Sequence, residues 1–253
     1  MRNKYNLATR AALLALALAA ALVLNSSVRA QPPPGSLWYN GDFNGVNGLP
    51  NERNTLVTQA AVYDDFNVTT PGWNVMAVFS DNLLRTVITA ADWEIRSGIS
   101  EGSAGTLIAN GTTNAPIVTL ISQGCFQNCE YRVEVTGLSV TLAPGRYWLN
   151  VTPIGNGSGR SFNTTTSGAN CVGTPCGNDQ NAFFNSTTFG AFFTSTSNVQ
   201  GPYDYSMGVI GTVVPEPTTV ALLTCGVGAL LIAVRCRRGI GKKGRLSGKI
   251  LTL

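Results

Sequence analysis

Histidine is absent from all 253 residues, and that absence removes whole reaction classes. Neither a Ser-His-Asp nor a Cys-His nucleophile system can be assembled, and histidine-ligated zinc is excluded as well. Hydrolysis would have to rest on carboxylates, and a glycosidase needs two of them about 5–9.5 Å apart across a sugar. Glu130 and Glu134 share one face of an extended segment but would stand roughly 13 Å apart, at about 3.3 Å per residue. That is too far. Asp64 and Asp65 in "VYDDFNV" point to opposite faces of a regular strand. They could ligate calcium, but no EF-hand or repeat-type calcium loop is present. A structural role is expected for them, with a carboxylate capping a turn at the strand entrance. No catalytic residue, metal site or cofactor is assigned, and ligand-binding residues stay unassigned.

Four cysteines, Cys125, Cys129, Cys171 and Cys176, come as two close pairs flanked by Gly, Asn or Pro. Four cysteines allow three connectivities. The local pairing 125–129 plus 171–176 is expected, because one turn can bring each pair together. Zinc is the competing reading, but the spacing is not Cys-x-x-Cys and the chain has no histidine to complete a site. Cys225 and Cys236 belong to the C-terminal segment and are expected to stay free.

A glycan site would show as an exposed aromatic beside Asp, Asn or Arg. Trp38-Tyr39-Asn40, Trp148 with Asn150, and Tyr203-Asp204-Tyr205 qualify by composition. Trp148 is the most suggestive, because it alternates away from Tyr147 and Leu149. The Asn-x-Ser/Thr sequons at Asn67, Asn110, Asn150, Asn156, Asn163 and Asn185 are what an Asn- and Thr-rich chain generates by chance. Ice binding would want a regular threonine array, whereas Thr164-Thr165-Thr166 is a cluster.

The elements that must position these residues read as strands. Trp73, Val75, Ala77 and Phe79 occupy every second position of "WNVMAVFS". Tyr131, Val133 and Val135 alternate with Arg132, Glu134 and Thr136, Tyr147, Leu149 and Val151 repeat the pattern, and so do Trp93 and Ile95 between Glu94 and Arg96. This is the period of half-buried strands, separated by turn signals such as Pro71-Gly72, Asn110-Gly111 and Pro144-Gly145. The expectation is an all-β fold, a two-sheet antiparallel β-sandwich of jelly-roll type over residues 31–213. Trp73, Val75, Val133, Tyr147 and Leu149 should be buried on the inner faces, with Glu94, Arg132 and Glu134 facing out. Residues 155–198 read as a long surface loop pinned by a disulfide, returning to the sheet through "AFFNSTTFGAFFTST". Phe183, Phe184, Phe189, Phe192 and Phe193 are expected in the core.

Both ends carry addresses. Arg2, Lys4 and Arg10 precede the apolar run Ala11–Leu24, and Val28-Arg29-Ala30 offers a small-residue cleavage site. Residues 1–30 therefore read as a signal peptide with a helical core too short to span comfortably. At the other end, residues 218–234 are uncharged and would form a transmembrane helix of roughly 26 Å. Arg235, Arg237 and Arg238 follow, then Lys242, Lys243, Arg245 and Lys249 in a basic tail over 239–253. Such a cluster stays in the cytoplasm. Without its ends the chain keeps six arginines against twelve carboxylates, a net charge of −6. An acidic domain with no basic cluster is a poor nucleic-acid partner. The tail is not a phosphate loop: Gly239 and Gly244 are spaced as in one, but Arg245-Leu246 follows instead of Lys-Ser/Thr.

Pro215-Glu216-Pro217, one apolar span and an arginine cluster, in that order across 214–238, resemble the PEP-CTERM sorting signal of exported bacterial proteins. The resemblance implies two processing partners, signal peptidase and a membrane protease of the exosortase type that acts near Pro-Glu-Pro. It also implies passage from an inner-membrane anchor to the cell surface or extracellular space of a Gram-negative bacterium. This tail departs from the family by running on to Leu253. "VYDDFNVTTPGWNVMAVFS", "ADWEIRSGISEGSAGTLIANG" and "LSVTLAPGRYWLNV" are similar to the β-sandwich recurring ahead of interchangeable C-terminal anchors (choice-of-anchor type). The resulting expectation is a non-enzymatic surface or biofilm-matrix protein. An exopolysaccharide-binding module is the first alternative, and a carboxylate glycoside hydrolase the second.

Overall fold

The computed structural model describes residues 31–122 and 129–215. Thirteen strands follow in chain order: β1 (Ser36–Tyr39), β2 (Phe43–Pro50), β3 (Ala61–Val68), β4 (Trp73–Leu84), β5 (Ile88–Ser97), β6 (Thr106–Thr113) and β7 (Ile117–Ser122). Then come β8 (Cys129–Leu142), β9 (Gly145–Gly155), β10 (Ser161–Thr166), β11 (Phe183–Ser186), β12 (Ala191–Ser195) and β13 (Met207–Val213). One four-residue helix, α1 (Thr196–Val199), precedes the last strand. None of the described helices is long and apolar enough to cross a membrane, and the predicted span 218–234 lies outside the described residues, as does the signal segment 1–30.

The strands form two antiparallel sheets. In the first, β8 and then β7 flank one side of the central β4. The other side of β4 is shared, with β13 and β1 alongside residues 73–80 and β10 and β2 alongside 82–84. The second sheet runs β12-β11-β3-β9-β5-β6. Trp73, Val75, Val78, Val133, Val135 and Leu142 face Val62, Phe66, Trp93, Ile95, Leu149 and Val151 across the main core. Tyr147 is half-buried against it. Trp38, Phe66, Trp73 and Tyr147 join by stacked ring contacts of 5.4–5.9 Å, a geometry that adds to area burial.

The alternation expected along β4 breaks at Met76. There the register with β13 slips by one residue, and Met76 itself is 53% exposed. A bulge flips every later side chain to the opposite face. Val78 therefore joins Trp73 and Val75 in the core, while Phe79 turns outward onto Tyr39 with ring centroids 5.7 Å apart. A second departure concerns residues 155–198. They hold β10, wedged between β4 and β2 where a loop was expected, while β11 and β12 form the expected return to the sheet. Only the stretch around the cysteines behaves as the pinned loop. Phe183, Phe184 and Phe193 are buried, but Phe189 and Phe192 are exposed.

Candidate functional site

Pro215, the first residue of the predicted Pro215-Glu216-Pro217 motif, follows the last described strand. β13 finishes at Val213, the Val214 amide donates to the Gly72 carbonyl at 2.9 Å, and Pro215 is exposed. Glu216, Pro217, Arg235, Arg237 and Arg238 lie outside the described residues. At the other terminus the Gln31 carbonyl accepts a 3.2 Å bond from the Arg132 guanidinium.

Cys171 and Cys176 are disulfide-bonded, with Cα atoms 5.6 Å apart, as their spacing predicts. The loop they close is a clamp across both sheets. Val172 exchanges backbone bonds of 2.9 Å with Tyr39 in β1, and the Thr174 carbonyl receives the Asn67 amide of β3 at 2.8 Å. The loop fits because Gly41, at φ +110°, lies so close to Gly168 that a β-carbon would meet it at 2.6 Å. Cys129 is disulfide-bonded too, and the predicted pairing with Cys125 falls on a residue outside the described ones.

Charged chemistry is concentrated in two buried clusters. In the first, Asp81 of β4 and Arg132 of β8 are direct cross-strand neighbours joined by two 2.8 Å bonds. This corrects the expectation for Arg132. It does point away from the inter-sheet core, yet it is only 8% exposed, because the β1–β2 connection folds over it. Its guanidinium stacks on Phe79 at 4.2 Å and on Tyr39 at 5.3 Å. The Tyr39 hydroxyl donates to Asp42 at 3.0 Å and also lies 3.3 Å from Asp81, while Ser206 donates to Asp81 at 2.9 Å. Burial, with Asp81 next to it, drives the Tyr39 phenol far above its ordinary range. Glu130, two residues along β8, has an Oε1 without a hydrogen-bond partner. Burial first, then the Asp81 charge, pushes its carboxyl up to about 8, so it holds its proton at neutral pH.

The second cluster lies around Asp64 and Asp65, both wholly buried in mid-strand and not at a strand entrance. Asp64 accepts from the Asn40 amide at 2.9 Å and the Tyr205 backbone at 2.6 Å. Burial and then the neighbouring Asp204 raise its carboxyl well above the usual range. Asp65 is paired with Arg146 at 2.7 Å, and the same guanidinium holds Asp179 at 2.9 Å. Burial pushes Asp65 up to about 6 and Asp204 up to about 7. Asp204 receives the backbone amides of Asp179 and Gln180. No group of three or more acidic or cysteine side chains is arranged to hold a metal among the described residues.

Of the aromatic candidates for a glycan surface, Tyr203 is half-buried and the others are buried. Trp38 and Tyr39 are fully buried, as is Tyr205, and Asn40 and Asp204 with them. Trp148 is 5% exposed, in a second apolar cluster with Tyr63, Phe183, Phe193 and Ile99 on the outer side of its sheet. Its indole donates to the Asn181 carbonyl at 3.0 Å. The Thr164-Thr165-Thr166 cluster is buried as well. Surface concavity lies instead at the free end of β4. One groove of about 500 Å³ is lined by Leu84, Arg85, Val87, Ile88, Val118 and Tyr131. Another, of about 330 Å³, lies over Leu83 and Phe162 between Asn47 and Arg85.

Sequence reasoning missed the Asp81–Arg132 pair. Its trace was present, since Asp81 is the single charge in β4 and Arg132 the single cation in β8. Only the register places them opposite each other. Comparison with protein-family models, with curated proteins and with solved structures found no match.

Proposed function

We propose that this chain is a non-enzymatic, exported surface or extracellular-matrix protein. In this reading it is first anchored by its C-terminal span and later released or transferred by an exosortase-type protease at Pro215-Glu216-Pro217. One observation carries the reading. Among the described residues the last sheet bond is that of Val214, and the motif starts at the next residue. Proteolysis there would cut no strand. The expected signal-peptide cut before Gln31 would leave β1 intact in the same way.

The charge distribution supports a passive exported body. Arg53, Arg96, Arg132, Arg146 and Arg160 are ion-paired within the domain, to Asp92, Glu94, Asp81, Asp65 with Asp179, and Glu52. Among the described residues no cationic surface is built for nucleic acid. The buried carboxylates Asp64, Asp65, Asp81 and Glu52 are held by internal donors and are at most 1% exposed, so no sugar can pass between them. Pulse-chase fractionation of wild type and Glu216→Gln, in a host with the sorting protease, tests the reading. Wild type should leave the membrane with time while the variant accumulates as precursor. Wild type retained at full length would overturn it.

A second reading, an exopolysaccharide-binding module, rests on the groove over Phe162. A ring floor, the Asn47 amide and the Arg85 guanidinium are the group types that hold a sugar. Glycan-array binding that is lost in Phe162→Ala would favour it.

A further inference from the structure

Five strand edges bound the two sheets: β1, β2 and β7 in the first, β12 and β6 in the second. Three of them are covered. The disulfide loop pairs with β1 through Val172. On β2, Asn44 and Asn47 side chains accept the Val46 and Gly48 amides, and Gln200 donates to the Gly48 carbonyl. The β12 edge gives its Phe193 carbonyl to Gly102 and its Ser195 amide to Glu101. Among the described residues nothing bonds to the outer edges of β6 and β7.

Those two edges lie together, because β7 follows β6 after a three-residue turn and each ends a different sheet. Leu107, Ile108, Ile117, Val118 and Leu120 on them are 40–49% exposed. Gly102–Ser122 contains no charged residue, in a domain whose net charge is −6. Natural edges are blunted with lysine, proline or a covering segment, and this one has none of these within its strands.

We propose that the β6–β7 edge is a pairing surface for a second copy of this chain. A two-fold axis normal to the sheets sets β7 antiparallel to its mate and β6 antiparallel to its own, so both sheets continue across the contact. The charge pattern selects this occupant. Two bodies of net charge −6 repel wherever their carboxylates meet, and this neutral edge lets identical copies approach without like charges opposed. A register centred on Thr119 puts Val118 opposite Leu120 of the second copy. Thr106–Ser122 offers 17 residues where a stable interface uses about 20–30 a side, so the dimer is reversible and concentration-dependent.

Sedimentation velocity of the full chain in detergent, across a concentration series, tests this. Wild type should shift from monomer to dimer. Val118→Lys/Leu120→Lys and Val118→Glu/Leu120→Glu, both at exposed sites, should each weaken self-association roughly tenfold or more. A mixture of the two variants should restore dimer, with unchanged melting showing that both are folded. A wild type that stays monomeric, or dimers that persist in the lysine variant through the membrane segment, would overturn the proposal. Failure of the mixture to dimerise would overturn the strand-pairing geometry.

Discussion

At the scale of single residues, the fold is decided by charges placed where water cannot reach them. A buried ion pair broken by removing one partner costs about 3–5 kcal/mol, because the remaining charge is uncompensated. Arg132→Met should therefore destabilise the domain by that order in denaturant unfolding. Asp81→Asn combined with Arg132→Met should recover much of the loss, since it leaves no orphan charge. If the double variant is no better than the single, the pair is not the source of the cost. Glu130 yields a pH prediction. Its folded carboxyl, pushed up to about 8 from 4.5, binds a proton more tightly than the unfolded chain does. The resulting stabilisation is complete below about pH 4.5 and is lost as pH rises through 8. Asp204, raised to about 7, acts with the same sign. Thermal melting should thus fall by several degrees between pH 5 and pH 9. Glu130→Gln should flatten that slope and melt higher than wild type at pH 9. A wild-type melting temperature that rises over this interval would show that the proton is not held.

At the scale of elements, side chains replace backbone where the ladders open. The pairing of β3 with β9 spans Asp64–Val68 and stops there. Asn51, fully buried, then fills the gap between them. Its amide donates to the Val151 carbonyl at 2.8 Å, and its oxygen accepts the Val62 amide, the Asn150 amide and the Thr152 hydroxyl. Each orphaned buried group costs about 1–3 kcal/mol, so Asn51→Ala should lose at least 3 kcal/mol in denaturant unfolding. A loss under 1 kcal/mol would mean that neighbouring groups or water satisfy those partners. Such devices explain what was legible in the sequence and what was not. Strict alternation in β8, β9 and β5 identifies the inner-facing Val133, Leu149 and Ile95, because one face of each strand packs on the opposite sheet. Alternation says nothing about a second covering. Trp148 and Arg132 point outward as expected and are buried all the same, one under Phe193 and Phe183, the other under Tyr39. The Met76 bulge is invisible for another reason, since just after it Ala77, Val78 and Phe79 are all apolar and mark neither face. Asn51 looks like loop composition until the strands around it are known.

At the scale of the whole molecule, β13 is the strand that leads directly into the proposed sorting motif. It enters the first sheet between β1 and β4, next to the central strand, and it buries Met207 and Val209 completely. Losing one such side chain to alanine costs about 2–5 kcal/mol, against a total stability of about 5–15 kcal/mol. The domain is therefore expected to need β13 in the sheet in order to fold, and the proposed processing point comes directly after that strand. Two truncations separate the parts. A chain ending at Pro215 keeps every described strand and the Val214 bond to Gly72, so it should melt cooperatively within about 2 °C of the full-length protein, less than a 1 kcal/mol change would produce. A chain ending at Ser206 lacks β13 and should show no cooperative transition and no near-ultraviolet aromatic signal. An unfolded Pro215 chain would mean that cleavage at the motif destroys the domain, and release by a sorting protease would have to be abandoned. A folded Ser206 chain would show that the sheet closes without its last strand. Release could then occur anywhere along the terminal segment, and the position of Pro215-Glu216-Pro217 at the edge of the fold would carry no functional meaning.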